Sequence, residues 1–305
     1  MSPRKALAAG AIVSCVALLA GGVGVMMTGG DRDRSNSRSD ESTPQWTLTW
    51  SDDFDGPAGR PPDRARWVAE IGGHGWGNDE LQYYTDLTEN AALDGNGHLV
   101  ITARPDDVGR SCWYGTCRFT SARLVTKQKF SQAYGRFEAR IKLPRGQGVW
   151  PAFWLLGDDI DEVGWPRCGE IDIMEYLGHD ERTVYGSVHG PQFDTTDEYR
   201  LPDGESFAEG FHTFTVDWSA NRVDFFVDGQ QYATVERPDA ATSGGSERVT
   251  NAANQADGDP RWVFDHPFFI LLNVAVGGRW PGEPDESTRF PQHMVVDYVR
   301  VYQLT

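Results

Sequence analysis

The sequence predicts an all-β fold, an antiparallel β-sandwich. Three observations lead there: apolar and polar residues alternate in short runs from Trp46 onward, clusters of Gly, Asn, Asp or Pro separate the runs, and no convincing long helical period appears. The clearest strands are 99–103, 134–141, 211–218 and 222–227. The stretch 217–222 and the dipeptide Asp228-Gly229 read as the hairpin turns that join such strands. The loop 236–259, rich in Ala, Ser, Gly, Asn and Asp, reads as a mobile insertion. No internal repeat is visible.

Ahead of the strands, residues 1–30 have the pattern of an export segment, with Arg4 and Lys5 followed by an uncharged run to Gly30. That run approaches the roughly 20 apolar residues that span a bilayer, although its glycines make it a mediocre anchor. Ile12-Val13-Ser14-Cys15 loosely resembles a lipoprotein processing box, but the apolar run continues past Cys15. A cleaved signal or an uncleaved signal-anchor therefore ranks ahead of a lipoprotein. All three place the rest of the chain outside the cytoplasm, secreted or held at the membrane by this segment alone. Residues 31–46 form a polar linker with too little apolar surface to order itself. Residues 47–305 suffice for one large all-β domain, expected to be monomeric. The net charge of −17 argues against a nucleic-acid partner or attraction to an anionic membrane surface, and leaves a neutral polysaccharide unaffected.

The most informative stretch is Gly169-Glu170-Ile171-Asp172-Ile173-Met174-Glu175-Tyr176, three carboxylates inside an otherwise apolar run. Alternation puts Glu170 and Asp172 on one strand face and Ile171 and Ile173 on the other, which would send Glu175 among the isoleucines. A β-bulge at Ile173 or Met174 absorbs the extra residue and aligns all three acids. Glu170 and Glu175 are then about 13 Å apart along the strand at roughly 3.3 Å per step, a gap that glutamates leaning together largely close. A retaining glycosidase needs such a pair, one ionised carboxylate as nucleophile and one protonated carboxyl as acid. Crowding three acids raises the pKa of at least one of them.

GEIDIMEYLG resembles the signature of glycoside hydrolase family 16, in the bulged form typical of bacterial endo-β-1,3-glucanases (laminarinases). Similar to that family as well are WSDDFDG at 50–56, GWGNDELQYYT at 75–85, the block 121–156, FHTFTVDW at 211–218, FDHPFFILLNVAVGGRWPG at 264–282 and VDYVRVYQ at 296–303. The resemblance implies a jelly roll whose concave sheet forms the substrate cleft. It also implies Glu170 as nucleophile, Glu175 as acid and then base, and Asp172 as the positioning and electrostatic partner between them. Asn78, Arg123, His189 and Asn273 match positions in or near the family's cleft, where they would bond glucose hydroxyls; His189 is expected to touch the leaving sugar or tune Glu175. One structural Ca²⁺ is implied on the convex side, held by the carbonyls of Asp53 and Gly97 and the side chain of Asp297, an oxygen-only set suited to a hard cation.

Sugar rings need aromatic platforms interleaved with hydrogen-bonding groups, and the chain has 11 Trp. Trp150 and Trp154 in VWPAFW face the same way on one strand, as do the family's cleft residues there; Trp165 and Trp280 are further candidates from neighbouring loops. In an oxidising compartment Cys112 and Cys117, which bracket a Trp-Tyr-Gly-Thr turn, are expected to be bridged. Cys168, two residues before Glu170, is expected at the edge of the cleft on the same face, packing as a small hydrophobe. The expected activity is endo-acting, retaining hydrolysis of β-1,3-glucan, with no cofactor in the chemistry. The alternatives are a mixed-linkage β-1,3-1,4-glucanase or transglycosylase on the same scaffold, and, from another class, a non-catalytic β-glucan-binding protein. Intact Glu170, Asp172 and Glu175 argue against the last, and the extra Met174 with the 264–278 block favours the β-1,3-glucanase over the mixed-linkage enzyme or transglycosylase.

Overall fold

The structure, a computed structural model, describes residues 45–238 and 260–305. The export segment, the linker up to residue 44, and positions 239–259 of the loop singled out above lie outside the described residues. The first strand, Trp46–Asp52, begins at the last position assigned to the linker.

Alternation builds the sandwich as expected. In Gly135–Lys142, Phe137, Ala139 and Ile141 are fully buried, while Arg136, Glu138 and Arg140 on the other face bond Asp217, Tyr298 and Asp297. This strand lies in the larger sheet, which runs in the order Gln230–Glu236, Arg222–Val227, His212–Ser219, Gly135–Lys142, Gln292–Leu304, Leu99–Pro105, Phe119–Ser121 and Gln82–Tyr84. Two predicted turns are tight hairpins. Ser219 pairs with Arg222 around Ala220-Asn221, and Val227 pairs with Gln230 around Asp228-Gly229, both of which have the positive φ that a primed turn requires. Trp46–Asp52 pairs with Gln292–Leu304 and so ties the two ends of the domain together. Among the described residues the only helix is the single turn Ile160–Val163.

The second sheet has seven strands, in the order Phe193–Arg200, Thr183–Gly190, Glu170–Tyr176, Val149–Gly157, Phe268–Val276, Arg123–Val125 and Val68–Glu70. Its inner face packs on the larger sheet through a core that includes Phe153, Ile171, Phe268, Ile270, Leu272 and Val274. Phe268–Val276 is buried along its whole length because its other face is also covered, Phe269 and Leu271 by a smaller apolar cluster and Asn273 by the floor of a cleft.

The bulge is present. Against Val149–Gly157, Asp172 pairs with Trp154 and Met174 with Phe153, leaving Ile173 unpaired. Against Thr183–Gly190, Asp172 pairs with Ser187 and Glu175 with Tyr185, so Ile173 and Met174 together face Gly186. Ile173 and Met174 both turn into the core. Gly186 cannot carry a side chain, since a Cβ there would come within 2.3 Å of the Tyr232 hydroxyl and 2.7 Å of Phe225. Filling the core with two successive side chains is thus what returns Glu175 to the outer face.

Met174 has no exposed surface. Met174→Ala is expected to lower stability by about 2–5 kcal/mol, the range for emptying a buried large side chain. Urea denaturation measures this, and a loss below about 1 kcal/mol would mean that the bulge is not anchored by packing.

Candidate active site

Glu170, Asp172 and Glu175 open together into one cavity of about 700 Å³ on the outer face of the seven-stranded sheet. Asn78, Arg123, Trp150, Trp154, Trp165, His189, Asn273 and Trp280 line the same cavity. All eleven expected cleft residues therefore meet in one place, although they come from seven separate segments of the chain.

The row of acids is held by donors from both flanks. Trp165 Nε1 donates to Glu170 Oε2 at 2.9 Å, and Trp150 Nε1 donates to Glu175 Oε1 at 3.1 Å. Asp172 is only 3% exposed and Glu175 9%, whereas Glu170 keeps an intermediate exposure. His189, paired with Glu170 across the strands, places Nδ1 2.9 Å from Asp194 Oδ1 and Nε2 3.2 Å from Asp172 Oδ2. The second contact is close but not aligned as a hydrogen bond, so Asp172 Oδ2 has an electrostatic neighbour without a directional partner.

Three carboxylates in so little water cannot all ionise. Burial raises the Glu175 carboxyl well above the usual carboxylate range, and the charges of Asp172 and Glu170 raise it further. Burial, followed by Asp172, pushes Glu170 up to about 8, against the opposing pull of His189, Arg123 and the Trp165 hydrogen bond. Asp172 is also raised, by burial, and is offset by its hydrogen bond with Glu170. Glu170 keeps some exposure and is drawn down by both His189 and Arg123, whereas Glu175 is more covered and is raised by both other acids, with only His189 and the Trp150 hydrogen bond opposing. Glu175, pushed up most strongly, is therefore the member of the row that keeps its proton longest.

The aromatic residues do more than provide flat surfaces. Trp154 faces the cleft with Trp150, as their spacing predicts, and its Nε1 donates to Asn273 Oδ1 at 2.8 Å. Asn273 in turn donates to the Tyr84 hydroxyl, which donates to Glu80, a buried carboxylate that also accepts from Gln82 and Asn78. Asn78 sits in a turn, its N–H bonded to the Gly75 carbonyl, and still reaches the cavity. Arg123 is packed into the wall of the cleft: its guanidinium lies 4.7 Å from the ring centres of both Trp76 and Trp154 and pairs with Glu70. At the other flank Trp280, 41% exposed, stands edge-on to Trp150 and Tyr185.

Trp76, Glu80, Tyr84 and Asp194 belong to this site and were not singled out from the sequence. The GWGNDELQYYT block contains the first three, and its density of polar and aromatic residues was the available signal. His189 meets Asp172 and Asp194 through its ring nitrogens, rather than only the sugar or Glu175 as expected. Cys168 is on the expected side of the sheet but not at the cleft edge. It is fully buried among Val125, Leu156, Phe269 and Leu271, and burial pushes its thiol up to about 12. Cys112 and Cys117 are bridged.

The expected calcium ligands lie outside the cavity. A Cβ on Gly97 would sit 3.9 Å from both the Asp53 carbonyl oxygen and Asp55 Oδ1, so oxygens converge there. Arg140 Nη1 donates to Asp297 Oδ2, and Arg300 Nη2 donates to Asp53 Oδ1. The donors fit a hard cation, with Arg140 competing for the one charged ligand.

Comparison with known proteins adds the following. The family model described as glycosyl hydrolases family 16 matches residues 78–300. A beta-glucanase of Rhodothermus marinus is 39% identical over 290 residues, covering 92% of this chain and 91% of the relative. A glucan endo-1,3-beta-glucosidase of Cryptopygus antarcticus is 37% identical over 269 residues, covering 84% of this chain and 91% of the relative. Among solved structures, the catalytic domain of an endo-1,3-beta-glucanase (laminarinase) from Thermotoga petrophila RKU-1 superposes with a TM-score of 0.75 at 48% identity, covering 86% of this chain and 100% of that one.

Carboxyls raised by folding are bound more tightly to their protons in the folded chain, so the stability they leave is full below the unfolded value of about 4.5 and declines as pH rises through the folded range. Glu170→Gln and Glu175→Gln remove that decline. The melting-temperature advantage of each variant over the wild type is expected to be small at pH 4 and to grow towards pH 8; a constant difference across that range would contradict the burial argument.

Proposed function

The chain belongs to glycosyl hydrolases family 16, and we propose that it cleaves internal linkages of β-1,3-glucan with retention of configuration. The observation that carries the reading is the bulged strand Glu170–Tyr176, which presents three intact acids to one cleft. A glucan-binding protein would have no need of that arrangement, since three crowded carboxyls cost stability and add nothing to stacking on a neutral sugar.

Each residue then has a chemical task. A Glu170 oxygen attacks the anomeric carbon and forms an ester as the glycosidic C–O bond breaks, while the Glu175 proton passes to the departing oxygen. Water then attacks the same carbon, Glu175 takes its proton, and Glu170 leaves as carboxylate. Trp165 steadies Glu170 through the bond to Oε2, and Trp150 orients the other carboxyl through Oε1. Asp172 lies between them, and its charge raises both pKa values, which keeps Glu175 protonated until Glu170 is spent. His189, held by Asp194, stands beside Asp172 on the neighbouring strand, where it can meet the substrate.

We further propose that the domain works outside the cytoplasm, in keeping with the export pattern of residues 1–30 and the Cys112–Cys117 bridge. A calcium ion at the carbonyls of Asp53 and Gly97 and the carboxylate of Asp297 would cross-link the first and last strands without entering the chemistry.

Digestion of laminarin is expected to give an early ladder of oligosaccharides, with lichenan cut more slowly and carboxymethyl-cellulose not detectably. Glucose alone, or a wide preference for lichenan, would overturn the β-1,3 reading. The roles of the two acids separate with azide: Glu170→Ala should yield an α-glycosyl azide, and Glu175→Ala a β-azide from an activated substrate, whereas exchanged anomers would reverse the assignment.

Chelation is expected to lower the melting temperature while leaving turnover well below it nearly unchanged, since a ligand of the folded state stabilises by mass action. Asp297→Ala should remove that calcium-dependent shift; a shift of undiminished size would put the ion elsewhere.

A further inference from the structure

The disulfide-closed turn 112–117 has no place in the mechanism above, yet it is built firmly against the cleft wall. Its strands Ser111–Cys112 and Gly115–Thr116 pair with each other, and the Cys112–Cys117 bridge closes the loop. Three hydrogen bonds dock it on the segment that carries Trp76, Asn78 and Glu80 into the cavity. Trp113 N–H donates to the Gly73 carbonyl at 2.8 Å, Trp113 Nε1 to the Glu80 carbonyl at 2.8 Å, and the Tyr114 hydroxyl to the Leu81 carbonyl at 2.6 Å.

Despite these bonds Trp113 remains 51% exposed. Its indole lies on the backbone of Gly75, where a Cβ would come within 3.0 Å of ring atoms Cδ1 and Nε1. The next residue, Trp76, lines the cleft and is joined to Trp154 through Arg123. Trp113 thus stands outside the cavity lining, on the backbone directly before Trp76, which with Arg123 and Trp154 forms one wall of the cleft. With its one polar atom already bonded to Glu80, the exposed remainder of the ring is apolar and held in place, so little side-chain freedom is lost when a ligand stacks on it.

We infer that Trp113 forms an outer binding site of the cleft, stacking on a glucosyl unit of a long β-glucan chain beyond those bound at the acids. The inference rests on the β-glucan reading of the same cleft. Its role is in binding and not in bond cleavage, so its effect depends on how far the substrate reaches.

The test is KM for laminarin oligosaccharides of increasing length with wild type, Trp113→Ala and Trp113→Phe, each checked for an unchanged melting temperature. Trp113→Ala is expected to raise KM about two- to ten-fold on the longest oligosaccharides, as for the loss of one aromatic contact, with the effect fading towards the shortest. Trp113→Phe keeps an apolar ring but loses the bond to Glu80, and should retain most of the long-chain advantage. An equal factor at every length, no change at any length, or a Phe variant as impaired as Ala would overturn the inference, the first and third by showing that Trp113 only supports the Glu80 wall. Failure of the wild type to cut laminarin at all would instead sink the glucanase reading, and this inference with it.

Discussion

The mutual repulsion of three carboxyls on one strand is the constraint to which the rest of the site responds. Left to itself it would be relieved by water or by moving one acid to the other face. The fold permits neither, because Ile173 and Met174 are anchored in the core by packing and Asp172 is almost wholly covered. What remains is to share protons unequally and to surround the row with donors. Two indole N–H groups supply these, while the His189 imidazole, held by Asp194, and the Arg123 guanidinium, held by Glu70, lie near the row without a hydrogen bond to it. Electrostatic preorganisation of this kind is set before a substrate arrives and does not need to be assembled during the reaction.

Much of this was legible in local pattern. Period-two alternation located Gly135–Lys142 and its neighbours, and an extra residue in an otherwise alternating acidic run required a bulge, because the alternative buried Glu175 in the core. Both are properties of a few consecutive residues. The two hairpins were legible for the same reason, since turn chemistry is written at the turn itself.

What escaped the sequence depends on partners distant in the chain. That Trp154 would bond Asn273, 119 positions away, or that Arg123 would lie between Trp76 and Trp154, follows from sheet order and not from any window of residues. Cys168 illustrates the same point. Its offset from Glu170 gave the correct side of the sheet, but its burial comes from Phe269 and Leu271 on a strand a hundred residues later. Glu80 was passed over because a lone acid in a polar block is ordinary until Gln82, Tyr84 and Asn78 are seen to converge on it.

The pairing of Trp46–Asp52 with Gln292–Leu304 has a consequence for the chain as a whole. Trp46 lies opposite Leu304, and the Gln45 carbonyl accepts from both the amide and the hydroxyl of Thr305. Residue 45 and residue 305 therefore meet at one end of this strand pair, and the pairing does not depend on a chain break between them. A circular permutant that bridges 305 to 45 with a short linker and opens elsewhere on the surface preserves every strand neighbour. It would also deny unravelling its natural starting point, the free edge of a terminal strand.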